Sequence, residues 1–299
     1  MLNMLKSCSL CPRNCGVNRL VGNIGFCKSG KNIKVAKVSL HQWEEPCISG
    51  NNGSGTVFFS NCNLQCSFCQ NHQISTEGIG KEISTERLSE IFLEQQKKGA
   101  HNINLVTPTH YVPQIIESLG IAKSKGLNLP IIYNTNSYEN IGTLQALKGY
   151  IDVYLPDLKY FNDKYSCKYS NSPDYFYHAT KAIEEMFSQV GEPKFNSNGL
   201  IEKGVIIRHL MLPGLLFDSK KIIDYIYNTF QDSVYISIMN QYTPMSNSNK
   251  HPELNRTLNP KHYDSLIDYC LSLGIENAFV QEDGTCSESF IPNFDLTGV

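Results

Sequence analysis

Short, uniformly apolar runs alternate along the chain with longer stretches whose apolar residues recur every three or four positions. TVFFS (56–60), INLVT (103–107), PIIYN (130–134), DVYLP (152–156), GVIIRHLM (204–211) and SVYISIM (233–239) read as six buried strands. Between the first two, ERLSEIFLEQQKKGA puts Leu88, Ile91 and Phe92 on one helical face and stops at Gly99. The next helix has Pro113 in its first turn and Ile115, Ile116 and Leu119 at core spacing. A short helix through Leu144 and Leu147 follows, then one starting at Ser172-Pro173 with Ala179, Ile183, Met186 and Val190 inward, then one with Ile222, Ile223 and Ile226. The last helix is expected to be capped by Asn259, with Pro260 at its first position and Leu266, Ile267, Cys270 and Leu271 as its apolar face. Ahead of all this, 33–43 (IKVAKVSLHQW) alternates like a strand, while 196–203 and 246–259 are polar enough for loops.

Six βα units in series imply parallel strands in a partial (β/α)6 TIM-like barrel, an α/β fold whose working groups lie at the C-terminal ends of the strands. The expected division is a cysteine-rich segment over 1–50 and a barrel with a C-terminal extension over 51–299. A net charge of −2 gives no electrostatic reason to expect nucleic acid or an acidic membrane as partner. No apolar run reaches transmembrane length and the first residues lack a signal-peptide stretch, so a cytoplasmic protein is expected.

Eleven cysteines change the picture, because seven fall in two tight groups, which suits a reduced compartment and metal rather than disulfide. Cys62, Cys66 and Cys69 have three and then two residues between them. Three thiolates are one short for a four-iron cubane or a closed zinc site, so the open position can take a small molecule. Cys8, Cys11, Cys15 and Cys27, among turn-forming residues, suffice for a complete four-thiolate site, either zinc or a second iron–sulfur cluster, with a structural or an electron-relay role. Cys47, Cys167 and Cys286 are isolated, and Cys270 fits a core position.

The stretch CNLQCSFC, with Phe68 before the third cysteine, resembles the CxxxCxΦC signature of the radical S-adenosylmethionine (radical SAM) superfamily. The resemblance implies a partial barrel and a 4Fe-4S cluster on Cys62, Cys66 and Cys69. It also implies reductive cleavage of S-adenosylmethionine to methionine and a deoxyadenosyl radical that abstracts hydrogen. CPRNCGVNR, WEEPCISG, YLPDLKY and IRHLMLPG extend it to a subfamily named after pyruvate formate-lyase activating enzyme. From that likeness Thr107 and Thr109 stand where a glycine-rich GGE stretch is usual, without its carboxylate. Asn134 stands for an Asp that helps hold a cation, and Asn136 matches directly. Asp157 and Lys159 match a DLK, and Arg208 an RxxxPG-type fifth strand, with His209 on the opposite face. An internal arginine among apolar neighbours also needs an anionic partner on physical grounds, either a cofactor carboxylate or Asp157.

The implied partners are an electron donor such as flavodoxin or ferredoxin and a glycyl-radical protein. Modification of a peptide or small molecule is the alternative within the class. A non-enzymatic iron–sulfur electron carrier and a zinc-ribbon nucleic-acid binder are the readings from other classes; 230 residues after Cys69 and the lack of a basic stretch weigh against them. His110 and the strand-end residues Met239, Asn240, Gln241 and Tyr242 have loop or site roles open to them. The loop at 50–55 and the tail after Glu282 are placed to act as lids.

Overall fold

The computed structural model describes residues 1–245, 249–281 and 292–299. Its centre is a sheet whose parallel strands are β2 (Ser54–Phe59), β4 (Ile103–Val106), β5 (Ile131–Thr135), β6 (Val153–Pro156), β8 (Ile201–Leu210), β9 (Tyr235–Met239) and β10 (Ala278–Val280), lying side by side in that order. Every residue of β2, β4, β5 and β6 is buried, as expected where a sheet is covered on both faces. The six expected strands are all present. Beyond β2 the sheet continues through antiparallel β1 (Ile33–His41) to β3 (Lys81–Ile83), and β3 and β10 are its two edges, so the barrel stays open.

Helices α3 (Thr85–Lys97), α4 (Val112–Ser124), α5 (Ile141–Ala146), α7 (Tyr175–Val190), α8 (Leu216–Phe230) and α9 (Pro260–Ser272) connect the parallel strands. Ser84 caps α3 by accepting from the Arg87 amide, and Gly99 ends the turn after it at φ +83°. Asn259 caps α9 as expected, accepting from the Lys261 amide at 3.1 Å. The single turns α1 (Pro46–Ser49) and α2 (His72–Ser75) also matter. The first carries Cys47 and Ile48 into an apolar cluster with Ile132, Val153, Leu155 and Ile206, and the second follows the cysteine loop.

Several local expectations give way. The helix expected from Ser172 starts at Tyr175, and an unforeseen helix, α6 (Asp163–Ser170), precedes it because Asn162 caps it through the Lys164 amide. The polar stretch 196–203 is not all loop: β7 (Lys194–Phe195) pairs antiparallel with the start of β8. In 246–259 the described residues carry a 3-10 turn at Pro252–Leu254. On α9 the buried face is Tyr263, Leu266 and Cys270, leaving Leu271 66% exposed, because 263, 266 and 270 share one helical stripe and 271 lies beside it. The loop at 50–55 runs into the N-terminal end of β2, opposite the cysteines, and is tied down by Gly53 N to Ser49 O and Gly55 N to Asn102 O, so it cannot act as a lid. The lid expectation for the tail falls partly outside the described residues, as does Cys286; residues 294–299 return to β1 through Leu296 N to Ala36 O and Val38 N to Thr297 O.

Candidate active site at the C-terminal ends of the strands

Where β2 ends, Asn61 (φ +75°) and Gln65 (φ +56°) adopt left-handed backbone, folding 60–69 into a loop tight enough to aim three cysteines at one space. Asn61 N donates to Ile74 O, Leu64 N lies 3.3 Å from Cys62 Sγ, and Ser75 Oγ lies 3.3 Å from Cys69 Sγ. Cys62, Cys66 and Cys69 line one cavity of about 250 Å³. Phe68 lines it as well, its ring set between Tyr160 and Tyr242 at centroid distances of 6.4 and 6.3 Å.

The same cavity is lined from β4 by Thr107, from β5 by Asn134 and Asn136, from β6 by Asp157 and Lys159, and from β8 by Arg208. Met239 and Gln241 close it from β9, and His41, Trp43 and Glu44 from the segment after β1. Thr109 is the one expected residue that is not there. It is wholly buried, and its hydroxyl donates at 2.6 Å to Glu139, whose Oε1 also accepts from Thr135 and Tyr133. His110 and His209 also lie away from the cavity, each held by a carbonyl, Ser60 O and Leu158 O respectively. Burial pushes the first down to about 3 and the second to about 4, so both are neutral imidazoles at neutral pH.

The charged groups form one chain. Lys159 Nζ donates to Asp157 Oδ2 at 2.6 Å and Arg208 Nε to Asp157 Oδ1 at 3.0 Å. Arg208 continues to Glu44 Oε2 at 3.2 Å and to Asn134 Oδ1 at 2.6 Å. Burial alone would raise the Asp157 carboxyl, but Lys159 and Arg208 outweigh it and hold it below its ordinary value. Burial likewise works against the charge on Lys159, and Asp157 and Cys66 more than restore it. Glu44 and its neighbour Glu45 move the other way, raised by burial despite Arg208. Glu44 is the residue the sequence reading missed. Its signal was the buried arginine's need for anions, but nothing local says that one comes from 164 residues upstream.

Two buried thiols and the half-buried Cys69, all lining one cavity, with Lys159 acting on Cys66, fit a cluster bound through three cysteines. Burial pushes Cys66 up to about 12 and raises Cys62 and Cys69, so metal ligation is what would make them thiolates. Thr107 adds a different signal. A β-branched residue at φ +58° is strained, and such strain clusters where a backbone is held for function.

Cys8, Cys11, Cys15 and Cys27 line a second, smaller cavity together with Arg19 and His110. The segment that carries them is clamped to the cysteine loop by Arg13, which donates to Asn63 O and Ser170 O and stacks on Phe26 at 3.7 Å. Among the described residues no helix is long and apolar enough to cross a membrane.

Comparison with known proteins places these features. A family profile, the Radical SAM superfamily, matches residues 56–226, more than half of the chain. A protein of Methanocaldococcus jannaschii, MJ0674, is 29% identical over 276 residues, covering 89% of this chain and 75% of that one. Among solved structures, Streptococcus suis SuiB bound to its precursor peptide SuiA aligns with a TM-score of 0.52 at 15% identity, over 75% of this chain and 47% of SuiB. The FeFe-hydrogenase maturase HydG of Carboxydothermus hydrogenoformans aligns with a TM-score of 0.53 at 16% identity, over 77% and 54%. The chain thus spans about half the length of these two proteins, and at such identities the likeness is one of fold.

Proposed function

Because the chain belongs to the radical SAM superfamily, we propose that it cleaves S-adenosylmethionine reductively at the Cys62–Cys66–Cys69 site and directs the radical at a polypeptide, foremost a glycyl-radical protein. When bound, a 4Fe-4S cluster in this superfamily supplies the electron that breaks the sulfonium bond, giving methionine and a deoxyadenosyl radical. Lys159 and Arg208 offer positive charge to the carboxylate of the methionine moiety. Asp157 holds both cations in place. Asn136, fixed by Asn63 Oδ1 at 2.8 Å, and Asn134, fixed by Arg208, present polar groups to the cofactor, while Phe68 forms its apolar wall.

One observation carries the polypeptide reading. Trp43, which lines the cavity, is 65% exposed, so the cavity opens to solvent beside an aromatic side chain. A projecting chain segment can reach a site that opens in this way and pack on that ring. Asn134 favours a second reading, a peptide other than a glycyl-radical loop, because its Oδ1 is already taken by Arg208 and offers no carboxylate for a cation. We further propose that Cys8, Cys11, Cys15 and Cys27 bind a metal.

The test is anaerobic reconstitution with iron and sulfide, reduction by dithionite, and measurement of deoxyadenosine and methionine. An intact reduced cluster that yields neither product would refute the proposal. With products formed, a glycyl-radical signal on an added glycyl-radical protein supports activation, whereas a modified peptide without that signal supports the second reading.

A further inference from the structure

β1 has two sides within the sheet. β2 covers one of them along Val35–His41, whereas β3 pairs on the other only with Ile33–Val35. Past Val35 that second side has main-chain groups to offer, the kind of margin that accepts another strand. The described tail, residues 292–299, fills it. Leu296 N donates to Ala36 O at 3.1 Å and Val38 N to Thr297 O at 2.8 Å.

Side chains fix the tail's place relative to the candidate site. Phe294 packs against Ala36, Phe58, Ile74 and Val106, its ring centroid 5.7 Å from that of Phe58. Phe58, Ile74 and Val106 also line the cavity that holds the three cysteines. Two residues before Phe294, Pro292 lines that cavity itself. The tail thus runs from the cavity wall along β1, with one apolar side chain seated in a slot. Lys37 Nζ holds it at Asn293 O, 2.8 Å, and at Asp295 Oδ1, 3.1 Å. Gly298 lets it approach closely at φ +76°, where a Cβ would stand 2.6 Å from Val38 O.

Contacts of this kind open locally. Phe294 is half-buried, and the Asp295 side chain is 52% exposed. An exposed ion pair and a few main-chain bonds at a sheet margin give little local stability. The two main-chain bonds are also open to any extended peptide, and the slot to any apolar side chain of similar size.

We propose that this margin of β1, with its slot of Phe58, Ile74 and Val106, is the docking track for an extended polypeptide, and that the chain's own tail occupies it until such a partner displaces it. A docked peptide takes over the bonds at Ala36 O and Val38 N and fills the slot with an apolar side chain. The residue two positions before that side chain then stands where Pro292 stands, at the cavity. Release of the tail withdraws Pro292 from the cavity wall at the same time. The inference rests on the proposed function for its polypeptide partner.

The test uses the full chain, reconstituted without oxygen, and the fluorescence anisotropy of two labelled octapeptides. One is PNFDLTGV, the sequence of residues 292–299; the other shares with it only the phenylalanine at its third position. In Gly298→Ala the added Cβ meets Val38 O and dislodges the tail. Both peptides are expected to bind this variant at least about tenfold more tightly than wild type, in which the tethered tail competes at high effective concentration. Phe294→Ala empties the slot by a second route and should show the same gain, which keeps the test decisive if Gly298→Ala does not fold. Hydrogen exchange at the Val38 amide should quicken in the variants and slow again when peptide is bound. No binding, equal affinity for wild type and variants, binding of the tail sequence alone, or a Val38 amide that bound peptide leaves unprotected would overturn the docking track. Peptide that docks on a protein forming no deoxyadenosine would instead overturn the proposed function and leave the track standing.

Discussion

Glu139→Gln tests whether the hydrogen-bonded core behind the cavity is a neutral one. Glu139 is 1% exposed, its Oε1 takes all three donors, Thr109, Thr135 and Tyr133, and its Oε2 has no partner. Burial pushes the carboxyl up from 4.5 to about 7, the three donors pulling it only partly back. The folded state therefore holds a proton that the unfolded chain has already lost. Stability from this group is greatest below about pH 4.5, declines as pH rises towards 7, and stays low beyond it. The difference of 7 − 4.5 = 2.5 in pKa corresponds to about 3 kcal/mol, at roughly 1.4 kcal/mol per unit. Glutamine keeps an acceptor for the three donors and cannot ionise. Thermal unfolding of wild type and variant, both loaded anaerobically, is compared at about pH 5 and about pH 8. The wild-type midpoint should fall between them by about 5 °C more than the variant's, since about 2.5 kcal/mol of the effect lies in that interval. A buried carboxylic-acid infrared band present only in wild type would accompany it. Parallel midpoints in the two proteins would refute the reasoning, because they would mean that Glu139 titrates alike folded and unfolded.

Asp157→Asn leaves Lys159 and Arg208 without their shared anion and should cost about 3 kcal/mol in thermal or denaturant unfolding. Because the Asp157 carboxyl is depressed in the fold, its contribution is present above the unfolded value of 3.8 and is lost as pH falls through the folded one, so the wild-type advantage should vanish in acid. Lys159→Met should weaken S-adenosylmethionine binding about tenfold, the worth of one charge-assisted hydrogen bond, by anaerobic calorimetry; undiminished affinity would place the carboxylate elsewhere. Thr107→Gly should raise the unfolding free energy by up to about 1 kcal/mol, strain relief less the entropy of glycine, and a loss would show that the Thr107 side chain is needed for packing. Cys66→Ala should abolish deoxyadenosine formation in a chain that keeps the wild-type circular dichroism.

How far the site could be read from the sequence follows from the barrel itself. Parallel strands bring all their C-terminal ends to one side, so residues just past each apolar run converge even when far apart in the chain. Asn134, Asn136, Asp157, Lys159 and Arg208 all met in one cavity for this reason. Short strands on the sheet's margins were invisible for a complementary reason. AFV (278–280) and KEI (81–83) have too few residues to show a period, and exist because a neighbour's backbone pairs with them.

The two threonines of VTPTH show where a local reading stops. Both are β-branched hydroxyl residues at a strand end, two positions apart, and nothing in the stretch separates their fates. The structure does so through backbone. Thr107 at φ +58° reaches the cavity, while Thr109 enters a 3-10 turn and meets a carboxylate 30 residues on. The glycine-rich stretch usual at this strand end in the related family would adopt such a backbone without strain. Here a threonine adopts it, with Thr107 N bonded to Asn134 O across the adjacent strand. That contact belongs to the neighbouring strand rather than to VTPTH. A positive φ on a β-branched residue is therefore a consequence of tertiary structure, and the Thr107→Gly measurement tests that same conclusion from the energetic side.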